Sequence, residues 1–348
     1  MTDDASARAV RPTLAAVAAR AGVSASTASL AFSGAGPVSV ETREKVLAAA
    51  EALGYAGPDP RAASLRRGRS GVLGVVIEDR LREAFRDPMN IAMLDGIADE
   101  AGAAGAALLL LTDAAGGRTD IASASMDAVI LVGCSTRLDD SVAILRQRGM
   151  PMVAVEADAM DGVLGIDLDN RAASATLARH LRELGHDRVA VVSLPLDDSG
   201  EPGRLPGDWR LRARSHTARE RLEGVADVYP AFGGRVAEGS TIEAGREAGM
   251  AILGEADAPT AVIAQSDLLA VGVIRAAEEL GLRVPEDVAV VGFDGIRRDD
   301  ANGIDLTTMV QPAVAKGRAA GRAAFSLLDG DEPARQLFTS EFRRGATT

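Results

Sequence analysis

Several acidic residues sit where they could bind a ligand: Asp113, Glu156, Asp267 (preceded by Ser266) and Asp294 each follow a run of apolar residues. Arg210 and Arg212 come just after a loop, 195–208, rich in Pro, Gly and Asp. Carboxylates that accept and guanidinium forks that donate suit a molecule covered in hydroxyl groups. Any one of these acids could equally cap the helix that follows it; their joint placement favours the ligand. A second set lies near the other end. Ser24, Ala25, Ser26, Thr27 and Ser29 form a hydroxyl-rich stretch, and Arg61, Arg66, Arg67 and Arg69 form a basic one. Small hydroxyls and guanidinium groups are what phosphate oxygens and base edges accept. Covalent chemistry finds little support. The histidines are His180, His186 and His216, and none is placed by motif to serve Ser266 and Asp267 in a triad. The single cysteine, Cys134, makes no internal disulfide, and no Cys/His cluster predicts zinc. Neither GxGxxG after the first strand of the body nor GxxxxGK[ST] is present. No cofactor and no metal are expected.

These residues need elements to hold them. Thr13 can cap a helix that runs to about Arg20, Gly22 suits a tight left-handed turn, and Ser24 can cap a second helix over 25–32. Two short helices on a glycine turn form the helix-turn-helix pattern, whose second helix enters the major groove of DNA. Ser39 predicts a third helix ending at Gly54, with Val46, Leu47, Ala50 and Leu53 turned inward. Pro58 and Pro60 stop it, and residues 61–67 have room for one or two helical turns. From Val72 the pattern becomes buried strands (VLGVVIE, AALLLLT, AVILVG, MVAVEA, RVAVVS, TAVIAQ, VAVVGF) alternating with helices. That alternation predicts parallel β-α-β units in two lobes, with ligands gathering outside the carboxyl ends of the strands.

Charge divides at the same boundary. The 348-residue chain is 47% hydrophobic with net charge −12 and a pI of about 4.9, a poor overall balance for coating nucleic acid. Residues 1–70, however, carry +3 and the rest −15. A small basic head on a large acidic body points to a nucleic-acid module joined to something else. The first residues lack the basic start and apolar stretch of a signal peptide, and the apolar run 103–111 is too short to cross a bilayer. A cytoplasmic protein with no membrane partner is expected.

The stretches TLAAVAARAGVSASTASLAFSG and VSVETREKVLAAAEALGY resemble the headpiece of LacI/GalR-type transcription regulators. DPMNIAMLDGIADEAG, GIDLDNRAASATLARHLRELGHDRVAVVS, AQSDLLAVGVIRAAEELGLRVPEDVAVVGFDG, LTTMVQP and EFRRGATT resemble that family's periplasmic-binding-protein-like effector domain. The resemblance implies an all-α helix-turn-helix headpiece at 1–59, a hinge helix at 60–70, and an α/β domain of two lobes and two parallel sheets at 71–348. It implies DNA contact or headpiece support by Thr13, Ser24, Ala25, Ser26, Thr27, Ser29, Leu30, Tyr55, Arg61, Leu65 and Arg66, with Leu65 as a minor-groove wedge. It implies effector contact by Glu156, Arg210, Arg212, Ser266, Asp267 and Asp294. Departures from the family pattern are Leu30 for a common arginine, Ser33 for asparagine, Met89-Asn90 for aromatics, Ser215-His216 for glycine-aromatic, and Gly295 for aspartate. Only 3% of residues are aromatic, leaving Trp209, Phe232 and Phe293 to stack a sugar. The resulting expectation is a homodimeric repressor that binds a near-palindromic double-stranded operator under control of a small effector, a sugar. The alternatives are a nucleoside or protein co-effector, an activator, or, ranked last, a cytoplasmic α/β enzyme.

Overall fold

The Thr13 hydroxyl accepts from the Ala16 amide at 3.2 Å and opens α1, Leu14–Ala21. The structure, a computed structural model, describes residues 12–34, 36–57, 68–77, 85–112, 121–133, 139–197, 200–297, 299, 301 and 303–348. The chain divides into two compact units, Met1–Ser70 and Gly71–Thr348.

In the first unit Gly22 ends α1 at φ 70°, a conformation that costs a side-chain-bearing residue but not glycine. Its amide closes on the carbonyls of Ala18 and Ala19. Ser24 then caps α2, Ala25–Ser33, accepting from the Thr27 amide at 3.1 Å. The two helices bend by 103° at this turn, within the range of helix-turn-helix pairs. Ser39 caps α3, Val40–Leu53, which Gly54 closes. Val17, Ala18, Ala28, Ala31, Val46, Ala49 and Ala50 form the core. Leu47, expected inside, is 46% exposed, because Val46, Ala49 and Ala50 supply the stripe that faces α1 and α2. Residues 58–67, with Arg61, Leu65 and Arg66 of the expected hinge, lie outside the described residues.

The second unit holds two sheets. The first contains β1 (Val72–Ile77), β2 (Ala107–Thr112), β3 (Ala128–Val132), β4 (Met152–Val155), β5 (Leu164–Leu168) and β12 (Gln336–Phe338), in the order β12-β5-β4-β3-β1-β2 and parallel throughout. The second contains β6 (Val189–Ser193), β7 (Gly203–Arg204), β8 (Gly233–Val236), β9 (Ala261–Ala264), β10 (Ala289–Asp294), β11 (Thr307–Val310) and β13 (Glu341–Arg343). Its order is β13-β11-β10-β9-β6-β8-β7, parallel inside and antiparallel at both edges, so the expected all-parallel sheet holds only for its centre. Each sheet carries apolar clusters on both faces, the burial that a parallel sheet requires.

The chain passes between the sheets three times. β5 leads into α6 (Asn170–Glu183), β11 leads back into α11 (Ala313–Leu328), and β12 leads directly into β13. The other helices are α4 (Pro88–Ala103), α5 (Asp139–Gln147), α7 (Trp209–Arg212), α8 (His216–Ala226), α9 (Ile242–Leu253) and α10 (Asp267–Glu279). Among the described residues no single helix is long and apolar enough to cross a membrane.

Candidate functional site

A cavity of about 310 Å³ opens where strands of both sheets end. Its walls come from the residues after β3 and β4 on one side, and after β6, β8, β9, β10 and β11 on the other. This is where open α/β sheets leave room for ligands.

Two strand-end carboxylates anchor it. Glu156 follows β4 with φ 53°, and Asp294 ends β10 with φ 119°; among the described residues these are the only non-glycine residues with positive φ. Such backbone is costly and persists where neighbours hold it, commonly at binding sites. Asn170 Nδ2 donates to Glu156 Oε2 at 2.8 Å, and Lys316 Nζ donates to Oε1. Lys316 also donates to Gln311 Oε1, and Gln311 Nε2 donates to Asp294 Oδ1 at 2.6 Å.

Arg221, on α8, lies between the two acids. Its Nε donates to Asn170 Oδ1 at 2.8 Å, and its Nη1 donates to the Gln265 carbonyl and stands 3.6 Å from Asp294 Oδ1. Among the described residues its Nη2 has no hydrogen-bond partner, and it lies 4.0 Å from Glu156 Oε2. The guanidinium covers the Phe293 ring at 3.6 Å from the centroid, so the arginine is fixed by stacking as well as by donors. Gln265, which shapes this corner, accepts from the Leu194 amide and donates to the Ala218 carbonyl.

These contacts set the charge states. Burial alone would raise Glu156, but Lys316, Arg221 and the Asn170 hydrogen bond outweigh it and hold the carboxyl at about 2. Burial pushes Asp294 well above the ordinary carboxylate range; Arg221 pulls it down, while Asp267 and Asp87 push it further up. Glu156 is thus a fixed acceptor in the cavity wall.

The remaining expected effector residues divide. Ser266 lines the cavity, capping α10 through the Leu269 amide and accepting from Ser240 Oγ at 2.9 Å. Asp267 is fully buried behind it. It accepts from the Gly295 and Ile296 amides, both at 2.8 Å, and from the Thr308 hydroxyl at 2.6 Å. A side chain at position 292 would collide with this carboxylate, so glycine there makes its seat possible. Asp267 therefore ties the ends of β10 and β11 and does not face the cavity.

Neither Arg210 nor Arg212 lines it, although Arg212 lines an adjoining pocket that shares Pro195, Asp197 and Gly200 with it. Arg210 pairs with Glu223 at 2.7 Å and stacks on Trp209, and Arg212 pairs with Asp208 at 2.8 Å; both are more than half exposed. The guanidinium on the wall belongs to Arg221, one turn and more into α8. Trp209 packs against Phe232, and Phe293 lies beneath Arg221, so none of the three rings expected to stack a sugar lines the cavity. Met89 and Asn90 do line it, as do Ser215 and Thr217. His216 turns aside to Asp158 at 2.8 Å, and Arg219 joins the same oxygen at 2.5 Å. Asp113 lies outside the described residues.

Sequence reasoning missed Arg221, Asn170, Gln265, Gln311 and Lys316. Lys316 did leave a signal: it is one of only two lysines in an arginine-rich chain, and it sits among Ala and Gly on the buried face of α11.

In the first unit, Thr13, Ser24 and Thr27 are occupied at helix starts, the last two sharing a 2.8 Å hydrogen bond. Tyr55 packs edge-on against Phe32 at 5.5 Å. Ala25, Ser26 and Leu30 are exposed, and Ser29 is half-buried on the same side of α2.

A helix-turn-helix unit, together with a two-lobed α/β unit that has a polar cavity at its strand ends, defines the class of DNA-binding regulators. Residues 13–57 match the family described as bacterial regulatory proteins of the lacI family, and residues 178–348 match the periplasmic binding protein-like domain. The chain is 31% identical to the HTH-type transcriptional regulator IpsA of Corynebacterium glutamicum, over 96% of this chain and 97% of that one. The crystal structure of a LacI-family regulator from Corynebacterium glutamicum superimposes with TM-score 0.72 at 27% identity, covering 96% of this chain and 98% of the other. A solved complex of the regulator CelR with cellobiose gives 0.66 at 25% identity, covering 97% and 100%. The chain belongs to the LacI family of DNA-binding transcriptional regulators, and it is a regulator rather than an enzyme.

Proposed function

We propose that this regulator is a homodimeric repressor that works in the cytoplasm, and that an uncharged, polyhydroxylated effector of the sugar class binds in the cavity and changes operator affinity. The observation that carries this reading is the network Glu156–Asn170–Arg221–Asp294–Gln311–Lys316. It joins residues attached to both sheets and leaves an arginine Nη2 open to the cavity. A hydroxyl can accept from Arg221 Nη2 and donate to Glu156 or Asp294, so bound ligand stabilises one spacing of the lobes over another. Carboxylates outnumber cations on the walls, with Asp87, Asp197 and Glu238 added to Glu156 and Asp294 against Arg221 and Lys316. That balance opposes a phosphate. The absence of a ring among the described lining residues opposes a stacked nucleobase. CelR, similar over the whole chain, is a carbohydrate-bound member of the same structural group, which supports the sugar class.

Two heads on a two-fold axis would read a near-palindromic operator. The segment 60–70 would act as the hinge, with Arg61 and Arg66 at phosphates and Leu65 in the minor groove. A coupling of about 1–3 kcal/mol changes operator affinity about 5- to 150-fold. The test is a thermal-shift series with glucose, cellobiose, glucose 6-phosphate and adenosine. A ligand at 100 times its Kd adds about 2.7 kcal/mol, enough to raise the melting temperature visibly. A shift with a neutral sugar and none with the phosphate is expected; a shift with adenosine or glucose 6-phosphate alone would overturn the effector class.

A further inference from the structure

Twenty consecutive residues, 21–40, contain no ionisable side chain, and they include the whole of α2. α2 turns Ala28 and Ala31 into the core. Ser26, Ser29, Leu30 and Ser33 follow at i, i+3, i+4 and i+7, which places them on one stripe away from that core. Ala25 stands exposed at its head. Leu30 is 38% exposed, and its isobutyl group lies beside Gly36.

Guanine is recognised in the major groove chiefly by bidentate arginine or lysine, adenine by asparagine or glutamine, and cytosine by carboxylates. α2 has none of these. Serine hydroxyls serve any base, so Ser26 and Ser29 on this stripe do not by themselves select one base over another. The discriminating contact left is apolar, and the one apolar group a base edge offers in the major groove is the thymine methyl. Resting on the reading that α2 lies in the groove, we propose that Leu30, with Ala25, makes this protein a reader of thymine methyls: the operator positions facing α2 are T·A pairs selected by methyl burial rather than G·C pairs selected by hydrogen bonds. Phosphate attraction then falls to side chains outside α2, such as Arg20 and Arg43 on the flanking helices.

The experiment uses the full chain. Sites are first selected from random duplexes. In the enriched site each half-site thymine is then replaced in turn by uracil, which deletes only the methyl group. One or two positions per half-site should bind about fourfold more weakly as uracil, the loss for one buried methyl-sized group. Leu30→Ala should bind the thymine and uracil duplexes equally at the position it contacts, with an unchanged melting temperature showing that the head still folds. Leu30→Arg should shift the enriched base there to guanine. Uracil-neutral half-sites holding a guanine whose 7-deaza analogue costs tenfold or more would overturn thymine reading while leaving DNA binding intact. No enriched sequence at all would overturn the operator reading itself, and this inference with it.

Discussion

Glu156 and Arg221 show how much a few buried charges decide. Glu156 is held at about 2 in the folded chain against 4.5 for an ordinary glutamate. A lowered carboxylate contributes stability that is fully present above the unfolded value and is lost as pH falls towards the folded one. Glu156 thus stabilises the second unit above about pH 4.5 and ceases to do so by about pH 2, a contribution on the order of 3 kcal/mol. Glu156→Gln should lower stability at pH 7, because it strands Lys316 as a buried cation, and should flatten the loss between pH 5 and pH 2. Urea melts across that range check it, and equal acid limbs in the two proteins would contradict the assigned charge state. The residue scale is also where the sequence was least legible. Glu156, Asp294 and Ser266 end strands, and strand ends can be read from apolar runs. Arg221 lies within an amphipathic helix, where an arginine ordinarily means solvent; only the packing of α8 against α6, which brings Asn170 to its Nε, turns it inward. Arg212 stands closer to the strand-end loop in sequence, yet Asp208, four residues back, holds it outside.

At the scale of elements, capping chemistry was the clearest text. Thr13, Ser24 and Ser39 each accept from an amide three residues on, and Gly22 and Gly54 close their helices in the left-handed conformation. Ser24→Ala should cost about 1 kcal/mol in headpiece stability by removing the α2 cap, measured as a lower melting temperature, with no change in ligand binding by the second unit. A melting temperature equal to that of the parent would contradict the capping role. The long apolar strands β1, β3, β6, β9 and β10 were legible because parallel strands are buried on both faces. β5 (LGIDL) and β8 (GGRV) lack that run, since one carries a buried acid and the other has glycines that let Val191 approach from β6. The antiparallel edges β7 and β13 are two and three residues long, too short to show a period.

At the scale of the molecule, net charge conceals the design. A chain at −12 divides into a head of +3 and a body of −15, so the larger unit repels DNA and leaves binding to the smaller. The three crossings between the sheets of the body place Asn170, Gln311 and the loop 339–340 at the junction of the two lobes. In the proposed function, ligand in the cavity, gripped by Arg221, sets operator affinity. The direct measurement is fluorescence anisotropy of the full chain on its selected operator, with and without saturating amounts of the sugar that raises its melting temperature, in the parent protein and in Arg221→Ala. An operator-affinity change of about 5- to 150-fold is expected in the parent and less than about twofold in the variant, with equal affinities when no sugar is present. The same sugar response in both proteins would contradict it.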